Sequence, residues 1–197
     1  MEPDSVEIRV LGCLIEKQRT TPAAYPLTLN SLRLACNQST NRDPVLELEE
    51  GEIRGALERL GQRKWTRLAS WSSGRSMKYR HMLGEALDLG DAELSLLSVL
   101  MLRGPQTPGE LRQRTERQHS FGDEDLAAAL AGLQQRELVR VLPRQPGQRE
   151  QRYEQLLGEA PAAPVSTDQG EDRIAALESE LAALRDEVRA LREELRA

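Results

Sequence analysis

Histidine is scarce in this 197-residue chain, with two, and so is cysteine, with two. His81 and His119 stand far apart, and neither has a cysteine or second histidine beside it, so a metal set or a His-based triad would need distant segments to converge. Cys13 and Cys36 sit among apolar neighbours without CxxC spacing and read as reduced core residues. A glycine-rich phosphate loop is also missing; Gly104-Pro105 reads as a turn. The acidic runs Glu49-Glu50 and Asp123-Glu124-Asp125 fall where helices should begin, a capping role rather than acid–base chemistry. The expectation is a non-enzyme with no catalytic residue, no cofactor and no metal.

No apolar run approaches the roughly 18 residues of a membrane span. The opening MEPDSVEIRVLGCLIEK mixes acids into its apolar stretch and has no basic start, so no secretory signal and no membrane association are expected, and a cytoplasmic protein is. A global basic field is lacking too, since the net charge is −5. Residues 1–90 carry 13 Lys+Arg against 12 Asp+Glu, residues 91–158 carry 9 against 10, and residues 159–197 carry 5 against 10. The acidity lies in the tail, and any nucleic-acid contact has to come from local clusters.

What the chain does have is an internal repeat. Ile53 to Leu68 returns 73 residues later as Leu126 to Val141, with Ala56, Leu57, Leu60, Gln62, Arg63 and Arg67 matching Ala129, Leu130, Leu133, Gln135, Arg136 and Arg140. Lys78-Tyr79 matches Arg152-Tyr153 at an offset of 74. Glu7, Ile8, Leu11 and Leu14 match Glu93, Leu94, Leu97 and Leu100 at an offset of 86, and Thr21-Pro22 is aligned with Thr107-Pro108. Copy one therefore carries 13 more residues (86 minus 73) between its first and third helical segments.

Each copy reads as three helices followed by a hairpin. In copy one, Ile8, Leu11, Leu14 and Ile15 keep helical spacing up to a Thr-Thr-Pro break near Arg19. Leu29, Leu32, Ala35 and Cys36 mark a short second helix, and the third buries Ile53, Leu57 and Leu60. The period then changes to two over 65–70 and 76–83 around Ser72-Ser73-Gly74, with Met77, Tyr79, His81 and Leu83 alternating. Copy two repeats this with 138–142 and a strand bearing Tyr153 and Leu157. The pattern predicts a mainly α protein with small β-hairpins, built from two tandem winged helix-turn-helix domains over residues 5–89 and 90–157.

The segments EKQRTTPAAYPLTLNSLRLACNQSTNRDPV (16–45), KYRH (78–81), LMLRGPQTPGELRQRTERQHSF (100–121) and LPRQPGQREQRY (142–153) resemble the bacterial YceH family, an uncharacterised group of tandem winged-helix proteins. The resemblance covers roughly residues 5–157 and implies the double winged-helix fold without an activity. Glu154-Gln155 departs from the family pattern.

Residues 158–170 read as a flexible linker, and residues 171–197 as a C-terminal coiled-coil helix. Ile174, Leu177, Leu181, Leu184, Val188, Leu191 and Leu195 recur at alternating steps of three and four. The flanking pairs Arg173/Glu178, Glu180/Arg185 and Glu187/Arg192 are opposite in sign, which suits a parallel homodimer; the alternative is a helix folded back on its own domain.

Binding, then, is the expected activity, with double-stranded DNA as the expected partner in a transcription-factor-like role. The candidates are Asn37, Gln38, Asn41 and Arg42, in a segment that copy one alone carries, and the hairpin cations Arg75, Lys78 and Arg80. The opposing reading of the segment is a plain spacer loop of turn formers. A matching cluster, Arg144, Arg149 and Arg152, lies on the second hairpin, while Arg63/Arg136 and Arg67/Arg140 read as scaffold. The third helices argue the other way: Glu52 and Glu58 accompany Arg54 and Arg59 in one, and Asp125 with Ala127, Ala128 and Ala131 form the other. That mixture favours a protein partner on copy two, and an adaptor that binds proteins is the alternative function.

Overall fold

The structure, a computed structural model, describes residues 2–69, 77–144 and 150–159. Arg75, Arg149, the 72–74 tip, the linker from 160 onward and the whole seam from Ile174 to Leu195 lie outside the described residues. The described part is mainly helical with two small antiparallel sheets. Copy one contributes α1 (Ser5–Thr20), β1 (Leu27–Thr28), α2 (Leu29–Cys36), α3 (Glu50–Gln62), β2 (Thr66–Ala69) and β3 (Lys78–His81). A short α4 (Leu83–Leu87) follows, then α5 (Asp91–Arg103), α6 (Pro108–Thr115), α7 (Asp123–Gln135), β4 (Val139–Leu142) and β5 (Arg152–Gln155). Strands order as β1-β3-β2 in one sheet and β4-β5 in the other.

Local chemistry at matching positions explains why the two copies fold alike. Asp4 accepts from the Glu7 N–H at 2.8 Å while the Glu7 carboxylate accepts from the Asp4 N–H at 3.1 Å, a reciprocal cap on α1. Glu93, the match of Glu7, accepts from the Gly90 N–H at 2.9 Å and starts α5. The same glutamates then hold the far end of each third helix, with Glu7 to Arg63 and Glu93 to Arg136 both at 3.7 Å. Both third helices stop through one left-handed residue that is not glycine, Lys64 (φ 61°) and Glu137 (φ 55°). The next N–H reaches back at each stop, Trp65 to the Leu60 carbonyl at 2.9 Å and Leu138 to that of Leu133 at 3.0 Å. Strand register repeats as well: Leu68 faces Tyr79 as Val141 faces Tyr153.

Two expectations are corrected here. Thr107 corresponds to Thr28, not to Thr21. Thr28 and Thr107 each cap the second helix, accepting from Ser31 and Glu110 N–H groups at 3.2 Å. Their predecessors Leu27 and Gln106 each pair with the tyrosine of the hairpin, Tyr79 or Tyr153. The true offset of the second helix is 79 (107 minus 28), so the 13 extra residues divide into 7 before α2 (86 minus 79) and 6 after it (79 minus 73). The second correction is Leu83, which opens α4 rather than ending a strand; it is buried there, and burial at 81 and 83 alone imitates a strand.

The two copies meet through their first helices. Ile8, Leu11, Leu14 and Ile15 of α1 and Leu96, Leu97, Leu100 and Met101 of α5 are all at most 1% exposed, as expected of helices apolar around most of their surface. A Cβ on Gly12 would stand 3.0 Å from both Met101 Cβ and Leu102 Cγ, so the absence of a side chain sets the close approach. One continuous apolar core runs from Ile8 to Leu157 through both copies, and all described residues fall in one compact unit.

Candidate functional site

The 37–44 segment is anchored through Asn37, Gln38 and Arg42, while Ser39, Thr40, Asn41 and Asp43 remain exposed. Asn37 holds Leu48 from both sides: its Nδ2 donates to the Leu48 carbonyl and its Oδ1 accepts from the Leu48 N–H, each at 2.9 Å. Gln38 Oε1 accepts from Lys17 Nζ at 3.2 Å and from Arg42 at 2.9 Å. Asn41 is left-handed (φ 60°) and accepts from Arg103.

Arg42, expected to reach a base or a phosphate, is only 5% exposed. Its Nε donates to the Ala35 carbonyl at 3.0 Å, and its two Nη groups grip Glu16 at 3.2 and 2.7 Å in a bidentate pair. A fourth bond runs to the Asn41 carbonyl at 2.7 Å. Arg42 is therefore a clasp between α1 and the loop, and its assignment to nucleic acid is corrected; Asn37 and Gln38 bond around it and are half-buried, and Asn41 is exposed. Glu16, 26 positions away (42 minus 16), carries no pattern that announces this pairing.

The outer face of the first sheet is different. Alternation puts Lys78 and Arg80 on one side of β3, and Arg67 of β2 stands directly opposite Arg80. Like charges in that position repel. Glu85 touches Arg80 at 3.3 Å. In copy two the same pair of positions holds Arg140 opposite Glu154, joined at 2.7 Å. Copy one thus places two arginines where copy two has a closed ion pair. Arg67, read as scaffold by its match to Arg140, makes no hydrogen bond or ion pair among the described residues; only the cross-strand register reveals its position.

The third helices expose carboxylates, as their sequences imply. Glu50, Glu52 and Glu58 are exposed with Arg54 on α3, and Asp123, Glu124 and Asp125 with Ala127, Ala128 and Ala131 on α7. Between α3 and the hairpin runs a groove of about 860 Å3, with Leu57, Leu68, Met77 and Tyr79 along it. Leu68 and Met77 at its lip are 50% and 69% exposed. The matching groove of copy two, beside Leu126, Leu130 and Tyr153, is about 290 Å3.

His81 and the two cysteines are built into the scaffold. Burial, with Arg19 and Arg80 nearby, lowers the His81 imidazole to about 4. Its Nε2 meets Gln18 Oε1, and its Nδ1 is buried without a partner, so a second proton there would have no acceptor. Gln155, at the matching position, is equally buried and bonds the Leu157 N–H and the Gly158 carbonyl. His119 stacks edge-on against Phe121 with ring centroids 4.5 Å apart. Cys13 and Cys36 are buried and free. Among the described residues no cluster of three or more His, Cys, Asp or Glu could hold a metal ion, and no helix is long and apolar enough to cross a membrane.

Comparison with known proteins gives a family and no activity. The family described as "Protein of unknown function, DUF480" matches residues 4–148. A UPF0502 protein of Geobacter sulfurreducens is 49% identical over 194 residues, covering 90% of this chain and 87% of that protein. Similar proteins are a UPF0502 protein of Koribacter versatilis, 49% identical over 191 residues (91% and 88% covered), and one of Shewanella amazonensis, 43% identical over 189 residues (89% and 90% covered).

Proposed function

This chain belongs to the DUF480 family of proteins of unknown function, the YceH-like group, and from that premise we propose that it is a non-enzymatic, tandem winged-helix protein that contacts double-stranded DNA through the hairpin of its first copy. The repeated order of three helices and a hairpin supports the winged-helix reading. The carrying observation is Arg67 opposite Arg80, with Lys78 on the same face, where copy two neutralises the matching pair. An exposed pair of guanidiniums on a sheet face is relieved by phosphate oxygens between or beside them. The acidic third helices would face repulsion in a groove, so the contact is to the backbone and reads little sequence.

Fluorescence anisotropy of a labelled duplex at several salt concentrations tests this. Arg67→Glu should weaken binding and make the salt slope shallower by about 1. A chain that binds no duplex at low salt, or whose affinity ignores Arg67→Glu, refutes it.

A second reading, a protein-binding adaptor, is favoured by the groove between α3 and the hairpin. Its exposed Leu68 and Met77, flanked by Arg54, Arg67, Glu50 and Glu58, suit a peptide with apolar anchors between charged residues. A photo-crosslinker at Leu68 should then capture one protein, and Met77→Asp should lose it. For the tail we propose parallel pairing through Ile174 to Leu195; sedimentation of a chain ending near Pro164 should shift toward monomer, and an unchanged dimer rejects that role.

A further inference from the structure

A second cavity, of about 610 Å3, lies where the two copies meet and has the opposite character to the groove. Lys17 of α1, Arg103 of α5, Arg114 at the end of α6 and Arg117 just beyond it line the cavity. The repeat relates Lys17 to Arg103 (offset 86) and Gln38 to Arg117 (offset 79), and the cleft holds both members of both pairs. Neither copy has this cleft alone. It is created by the packing of α1 on α5.

The charge in the cleft is unbalanced. Glu16 is its one carboxylate, and Arg42 grips it at 2.7 Å while Lys17 approaches at 3.5 Å. Arg114 has Glu110 only at 3.8 Å, and Glu110 is shared with Arg152 at 3.0 Å. Arg117 has no ion-pair partner among the described residues. The C-termini of α1, α5 and α6 each bring roughly half a negative charge, which leaves on the order of one to two positive charges uncompensated. Burial, with Arg114 and Arg42 near enough to repel, holds the Arg103 guanidinium below its usual pKa even though Glu16 and Asp43 oppose the shift. The remaining lining includes three threonine hydroxyls and four side-chain amides over a floor of Val99 and Leu102, with no aromatic ring.

We propose that this cleft binds a small phosphorylated, hydroxyl-rich molecule of the sugar-phosphate class. The cations take the phosphate, as charge-assisted hydrogen bonds do. The hydroxyls and amides take the carbon skeleton's oxygens, and the volume falls within the range of small-molecule sites, about 300–1,000 Å3. The missing aromatic ring leaves nothing for a nucleobase to stack on, so a sugar phosphate fits the lining better than a nucleotide.

Calorimetric titration of the full chain with ribose 5-phosphate, with ribose and with inorganic phosphate provides the test. Ribose 5-phosphate should bind, inorganic phosphate more weakly, and ribose not measurably. Arg114→Ala and Arg117→Glu should each weaken binding roughly 10- to 100-fold; Arg117 is exposed, so its replacement leaves the fold intact, and an unchanged thermal midpoint confirms that. Arg67→Glu should leave binding unaltered, which separates failure of the hairpin reading from failure of this one. The proposal is overturned if millimolar ribose 5-phosphate gives no heat, if both cleft variants bind normally, if inorganic phosphate binds as tightly, or if a DNA duplex displaces the ligand.

Discussion

Replacing Arg42 with alanine decides whether the 37–44 loop is a clasp or a reading head. The guanidinium makes five hydrogen bonds, all between 2.7 and 3.2 Å: two to Glu16, and one each to Ala35, Asn41 and Gln38. Its removal leaves Glu16, whose side chain is 13% exposed, without its bidentate partner. Breaking a buried ion pair from one side typically destabilises by about 3–5 kcal/mol. Glu16 keeps Lys17 and some contact with water, which places the expected loss near the lower bound, about 3 kcal/mol. With a urea slope of about 2 kcal/mol/M, the unfolding midpoint should fall by about 1.5 M. Circular dichroism along a urea gradient measures this, and a Glu16→Ala/Arg42→Ala double-mutant cycle should return a coupling of about 1 kcal/mol or more. DNA affinity at temperatures where the variant is folded should not change. A stability loss under about 1 kcal/mol together with weakened DNA binding would refute the clasp and return Arg42 to the interface.

His81 has its folded pKa depressed to about 4 from an ordinary 6.5, so its contribution is present above pH 6.5 and is lost as pH falls toward 4. The loss should reach about 2 kcal/mol by pH 5 and about 3 kcal/mol below pH 4; His81→Gln, which installs the residue of copy two, should flatten that part of the profile, and an unchanged urea-midpoint profile would show that other groups carry it. Gly12→Ala should lower the thermal midpoint despite the better helix propensity of alanine, because the added methyl at 3.0 Å from Met101 and Leu102 forces α1 from α5; overpacking of about 1–3 kcal/mol exceeds the roughly 1 kcal/mol gained, and a stabilised variant would contradict the contact. Arg67→Glu, beyond its effect on DNA, should raise stability by a few tenths of a kcal/mol by giving Arg80 a cross-strand partner, as Glu154 does for Arg140; a loss in urea titration would mean that the two arginines do not repel.

The three helices and the hairpin strands of each copy were legible because their signals act within a turn or across a hairpin, whereas β1 and α4 were not. Ile53, Leu57 and Leu60 share one face by spacing alone, and all three are at most 4% exposed. The failures share a cause as well. Thr21-Pro22 resembles Thr107-Pro108 as a string, but only the cap of α2 and the pairing of Leu27 with Tyr79 identify Thr28 as the true match. Arg42 and Asn37 look like base-reading side chains because residue type does not reveal orientation. Arg67 looked like scaffold for the converse reason: its match to Arg140 hides the change of opposite neighbour from Glu154 to Arg80.

The sequence by itself determined the duplication, the apolar faces of the helices and the place of each hairpin, since each depends on residues close along the chain or on comparison of the chain with itself. Tertiary structure alone decided which polar groups remain available. The folding of the 37–44 loop onto α1 turns Arg42 inward onto Glu16, and packing α1 on α5 across Gly12 brings Lys17 to the same cleft as Arg103, 86 positions away (103 minus 17). Such pairings depend on the distance between two helix axes, which the size of the side chains at their crossing sets and which no local periodicity records.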